Sequence, residues 1–163
     1  GRFKNKMSND SAVNSFDRLY YKYPYQSVFL TLGFNSDDGL FLGPTFKHIR
    51  HGFRKNPYKS LHQAKASFAF STKAVNFQYH NEFMSVIGDK TDIVGDIEYK
   101  GPNNTSNFFG YGINSVYDKS KTGRFRYYRA RYDVGEVALQ LRHRFSNKVM
   151  FSFGPTFQIY SII

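Results

Sequence analysis

From Gln26 onward, apolar and polar residues alternate one by one along the chain. Val28, Leu30, Leu32 and Phe34 fall on one side and Phe29, Thr31, Gly33 and Asn35 on the other, the period-two signature of a half-covered β-strand. Ser36-Asp37-Asp38-Gly39 supplies turn chemistry, because Asp tolerates and Gly prefers the positive φ of tight hairpins. The alternation then resumes, with Leu42, Pro44, Phe46 and His48 opposing Gly43, Thr45 and Lys47 ahead of a basic loop, Arg50 to Tyr58. A third strand sets Ala64, Ala66, Phe68 and Phe70 against Gln63, Lys65, Ser67, Ala69 and Ser71, and a turn is expected near Lys73. A fourth sets Val75, Phe77, Tyr79 and Phe83 against Asn76, Gln78, His80 and Glu82. After Gly88-Asp89-Lys90, a fifth sets Ile93, Ile97 and Tyr99 against Asp96, Glu98 and Lys100. An Asn-, Gly- and Ser-rich stretch from Gly101 to about Gly123 predicts a long loop. Three more strands follow, Phe125–Tyr132, Glu136–Phe145 and Val149–Tyr160, the last two joined at Asn147-Lys148. Residues 1–24 show no sustained period and form a lead-in segment. The expected architecture is therefore one all-β domain over residues 25–163, an antiparallel up-and-down meander of about eight strands.

A short echo runs through this pattern. Leu42-Gly43-Pro44-Thr45-Phe46 returns as Phe153-Gly154-Pro155-Thr156-Phe157 with the same facing. Proline cannot donate to a ladder, so both prolines are expected at a strand end, a bulge or an unpaired edge.

Composition separates two architectures that share such alternation. Of the 163 residues 40% are apolar, an ordinary share, yet 18 Phe and 13 Tyr bring the aromatic fraction to 19% without any Trp. A soluble core seldom uses so many large rings, whereas a transmembrane barrel needs apolar side chains outside and aromatic girdles at both interfaces. No apolar run approaches the roughly 20 residues of a spanning helix, and mean hydropathy is −0.54, so strands are the only means of crossing. The polar sides also fit a wet lumen: Lys65, Glu82, Asp96, Glu98, Glu136, Arg142 and Arg144 are expected to face inward and pair across strands. Val28, Leu30, Leu32, Phe68, Phe70, Phe77, Leu139, Leu141, Phe151 and Phe153 are expected to face lipid. The expected fold is an up-and-down transmembrane β-barrel, or part of one, in a bacterial outer membrane. A lipocalin-like barrel would need an apolar interior instead.

Charge and candidate chemistry change this picture little. Lys and Arg number 23 against 12 Asp and Glu, a formal +11, and there is no cysteine to form disulfides or thiolate metal sites. The polar first residues carry no signal peptide, as expected of a mature chain or an excised piece. Five histidines, His48, His51, His62, His80 and His143, lack paired metal-ligand spacing apart from His48-x-x-His51. Asp92, Asp96 and Glu98 alternate as lumen residues would, without a nucleophile or phosphate loop beside them. No catalytic residue, cofactor or metal is expected. The run Arg124 to Tyr132 interleaves basic and aromatic side chains as a single-strand groove does. It keeps a soluble basic β-domain that binds nucleic acid or another polyanion as the alternative, with membrane lipid the favoured partner.

Three stretches also carry a resemblance: Phe16 to Tyr23, Phe34 to Gly43 and His51 to Tyr58. With them the chain resembles the surface-antigen (Omp85-like) outer-membrane barrel domain of Bacteroidota. Such barrels often follow a calcineurin-like metallophosphoesterase domain, and Asn107 to Gly112 is similar to a loop motif of those proteins. The resemblance implies a role in outer-membrane protein assembly or translocation, or anchoring of a periplasmic phosphoesterase, with other outer-membrane or periplasmic proteins as partners. The family barrel is about twice this length, with sixteen strands. Its Val-Arg-Gly-Phe/Tyr motif has only His51-Gly52-Phe53 as a counterpart, and the phosphoesterase ligands are absent. The implied identity is thus the first half of a larger barrel, outside the catalytic part.

Overall fold

The computed structural model describes residues 21–36, 38–52, 55–107, 129–146 and 148–162. Every assigned element among them is a strand: β1 Tyr25–Asn35, β2 Gly39–Arg50, β3 Ser60–Ala69, β4 Val75–Ile87, β5 Thr91–Asn107, β6 Arg129–Arg144, β7 Met150–Phe153 and β8 Thr156–Ile162. They form one antiparallel sheet in chain order, with β7 and β8 both paired to β6. The turn chemistry read from sequence sits where expected. Gly39 takes φ +78° after Asp38, Lys73 takes φ 60° between β3 and β4, and Gly88 takes φ +61° between β4 and β5.

The partition of the later strands differs from the alternation alone. The two strands expected over Phe125–Tyr132 and Glu136–Phe145 are one strand: β6 runs through Asp133-Val134-Gly135, held there by pairing with β5 on one side and β8 on the other. Phe125 to Tyr128 lie outside the described residues. The stretch expected as a loop from Gly101 is strand as far as Asn107, and the rest of it lies outside the described residues. A bulge absorbs the irregular Gly101-Pro102-Asn103 between Lys100 and Asn104, with Asn103 at φ 72°.

The final strand is interrupted at Gly154-Pro155, and here the sequence echo acquires a structural meaning. β2 pairs β1 without a break through Pro44, while its ladder to β3 lapses over Gly43 and Pro44 and resumes in unchanged register. The β6 ladder likewise lapses between Phe153 and Thr156 and resumes in register. A Cβ on Gly43 would lie 1.8 Å from the carbonyl oxygen of Ala66, and one on Gly154 would lie 1.9 Å from that of Leu139. Both motifs thus press a glycine against a neighbouring backbone and accommodate the missing proline donor in a ladder gap. Pro155 meets the expectation for proline, since the β7–β8 strand has no second neighbour among the described residues. Pro44 does not, because β2 is an interior strand and the gap takes the place of an edge.

The sheet curls toward its polar side. Asp38, in the turn between β1 and β2, accepts a 2.8 Å hydrogen bond from the Thr105 hydroxyl on β5 and a 3.1 Å bond from Thr72 in the β3–β4 turn. In a flat sheet, β2 and β5 would stand roughly 14 Å apart. Asn35 also donates to Asp38, so this 3% exposed carboxylate gathers one end of the sheet.

Candidate functional site: an apolar outward face and a polar enclosed face

Successive side chains of a strand point to opposite faces, so the register sorts the sheet completely. One ladder row joins Val28, Phe46, Ala64, Tyr79, Ile97, Val137 and Phe157 across all ladder positions, and every member is apolar or aromatic. This face is open. Val28 is 72%, Leu139 55% and Phe153 73% exposed, and the other residues expected to face lipid, Leu30, Leu32, Phe68, Phe70, Phe77, Leu141 and Phe151, are exposed with them. The opposite face carries the residues expected to face a lumen, Lys65, Glu82, Asp96, Glu98, Glu136, Arg142 and Arg144, all partly covered. The buried apolar side chains Leu61, Met84, Val94, Val134 and Ala138 belong to this second face. The usual arrangement of a soluble sheet, apolar side covered and polar side wet, is therefore inverted.

The apolar band is also inclined to the ladder. On β1 it runs from Val28 to Phe34, centred on Thr31, and on β6 from Val137 to Leu141, centred on Leu139. The row through Leu139 passes Gly95, Asn81, His62 and His48 and reaches β1 at Gln26, five positions from Thr31. One hydrogen-bonded row is thus polar on β1–β4 and apolar on β6. At about 3.3 Å per residue and 4.8 Å per strand, the displacement over five strand spacings corresponds to roughly 35°.

On the enclosed face, opposite charges meet within strands and between neighbouring and next-neighbouring strands. Arg142 grips both oxygens of Glu82 at 3.1 and 2.9 Å and places its Nε 3.2 Å from Asp92. Asp92 is completely buried and also accepts from Arg144 at 3.0 Å and from the Ser85 backbone N–H at 2.8 Å. His80 bridges Asp96 at 2.6 Å and Glu82 at 3.2 Å. Lys100 pairs Glu98 at 3.0 Å, and Gln78 donates to the same carboxylate. Glu136 stands directly opposite Glu98 in the ladder and is served by Gln158 at 3.3 Å. Lys65 has no ion pair among the described residues; it lines a hollow of about 200 Å³ with Thr31, Ser67, Asn76, Gln78 and Lys100.

The β2–β3 loop folds over one end of this face. Tyr58 donates a 2.6 Å hydrogen bond to Glu82, and Lys55 donates to the carbonyls of Met84 and Ser85. Burial, reinforced by the Glu82 carboxylate, pushes the Tyr58 hydroxyl well above the usual phenol range, so it remains a donor. The alternation puts Asp92, His80 and Lys100 on the polar side without naming them as ion-pair partners, and it does not place Tyr58 or Asp38 there. Asp92 and His80 share the parity of the lumen set, whereas nothing local marks Tyr58 or Asp38 for contacts across the sheet.

No metal-ligand cluster of three or more His, Cys, Asp or Glu occurs among the described residues. The basic-aromatic run lies outside them from Arg124 to Tyr128. Neither a family model, nor a curated protein, nor a solved structure matches this chain.

Proposed function

We propose that this chain forms part of an outer-membrane β-barrel of the surface-antigen type, with lipid against its apolar face and water within its polar one. The observation that carries the reading is the inverted sheet: the apolar row from Val28 to Phe157 and the residues flanking it are outward and uncovered, while the ion pairs are on the enclosed face. A solvent-exposed apolar surface of this extent would be an aggregation liability, but it is the required exterior in a bilayer. The roughly 35° inclination of the band supports the same reading, since barrel strands cross membranes at ~35–45°.

Strand directions favour a larger barrel. β7 and β8 share one ladder position, so β1 and the β7–β8 strand run the same way and cannot close an antiparallel seam between themselves. Antiparallel closure takes an odd number of further strands. Both free edges suit such pairing along their strands: β1, β7 and β8 carry no charged residue, whereas exposed edges are usually blunted by charges, and Pro155 interrupts the second edge only between β7 and β8. This fits the first half of a larger barrel, with a non-catalytic role in outer-membrane protein assembly or translocation, or in anchoring a periplasmic phosphoesterase.

The test is fractionation followed by flotation. The protein is expected in the outer membrane, resistant to carbonate and urea washes, and to rise with vesicles through a density gradient. Recovery as a β-rich monomer in aqueous buffer without detergent would refute the reading.

A further inference from the structure

The outward face does not end in apolar residues alone. Where the band stops on β2 and β3, His48 pairs His62 across the ladder, and Arg50 follows His48 on the same side. The imidazole centroids of His48 and His62 lie 6.3 Å apart. Phe46 stacks on His48, and Phe83 meets His62 edge-on. His62 shares its Nδ1 with the Tyr79 hydroxyl at 2.8 Å, but the Nδ1 of His48 is buried without a partner. Arg50 is exposed, and its guanidinium has no ion pair among the described residues.

Counter-charge is missing from this side of β1–β5 among the described residues. Every carboxylate on the described parts of β1–β5 (Glu82, Asp92, Asp96 and Glu98) shares the parity of the enclosed face. One guanidinium and two imidazoles therefore cluster at the edge of an apolar surface with nothing of opposite sign beside them. Arginine presents a planar fork suited to phosphate oxygens, and a cationic head beyond an apolar stem suits the depth at which headgroups lie.

We propose that Arg50, His48 and His62 bind the phosphate of an anionic lipid headgroup at the rim of the apolar band. The assignment rests on the membrane reading above. The experiment is native mass spectrometry of the protein released from micelles doped with equal amounts of phosphatidylglycerol and phosphatidylcholine, alongside vesicle flotation. Retention of phosphatidylglycerol over phosphatidylcholine is expected. Arg50→Gln should lower that retention about fivefold, and Arg50→Lys should restore part of it; His62→Gln, which leaves Arg50 in place, should lower it less. Equal retention of the two lipids, or an unchanged ratio in Arg50→Gln, would overturn the site. Displacement by millimolar inorganic phosphate as readily as by added lipid would reassign the cluster to free anions and overturn the lipid assignment. A protein that floats with vesicles but shows no lipid preference sinks this inference alone, whereas one that never floats sinks the membrane reading with it.

Discussion

Gln26 and Leu139 lie on one hydrogen-bonded row, both exposed, yet the inclined band puts Gln26 at its margin and Leu139 at its centre. Replacing each by Arg therefore separates a bilayer from water as the surrounding medium. In a membrane, Arg near the midplane of a barrel costs about 2–4 kcal/mol and near an interface only about 0–1. In water, substitutions at exposed positions fall within roughly 0.5 kcal/mol of neutral, and Leu139 is 55% exposed. With a urea slope of about 2 kcal/mol per molar, Leu139→Arg should lower the unfolding midpoint by about 1–2 M and Gln26→Arg by less than about 0.5 M. The assay is urea unfolding of the vesicle-reconstituted protein, followed by far-ultraviolet circular dichroism. Two variants whose midpoints agree within about 0.25 M would refute both the lipid contact and the inclination, because depth would then have no energetic meaning.

Three further outcomes follow from the enclosed face and the Gly-Pro steps. Asp92→Ala leaves the Arg142 and Arg144 guanidiniums without their shared buried carboxylate and should cost about 3 kcal/mol, near the low end for a broken buried pair because both arginines retain some solvent access; a loss below about 1 kcal/mol in the same urea assay would show that water replaces the carboxylate. Gly154→Ala forces a methyl group into the Leu139 carbonyl and should destabilise by about 1–3 kcal/mol, while Gly135→Ala, with open space at its Cβ position, should be nearly neutral. Tyr58→Phe removes the donor to Glu82 and should cost about 1.5 kcal/mol. Because the folded Tyr58 hydroxyl titrates above its unfolded value, that difference should hold from neutral pH to about pH 10 and shrink only above it; a difference already lost by pH 9 would contradict the buried donor.

Strand positions, the short hairpin turns and the sorting of side chains into two faces were legible in the sequence, because a period of two and the positive-φ demand of Gly39 and Gly88 are local properties. The later boundaries were not. Gly101-Pro102-Asn103 and Asp133-Val134-Gly135 have turn-like composition, yet ladders on either side carry the strands through them. Residue type alone could not tell a loop from a bulge or an interior strand. The Gly-Pro echo was visible as a repeat, but its meaning depends on the carbonyls of Ala66 and Leu139, supplied by strands distant in the chain.

The same division holds for the surfaces. Alternation by itself determined that one face would be apolar and the other charged, since side-chain direction follows from backbone geometry one residue at a time. The aromatic excess set the expectation that the charged face would be the inner one, and only the tertiary structure decided which charges would meet and how the apolar band would incline. Those outcomes depend on register and curl, which place Arg142 against Glu82, Asp38 against Thr105 and Leu139 in the row of Gln26, and register and curl are fixed by hydrogen bonds between residues far apart in the chain.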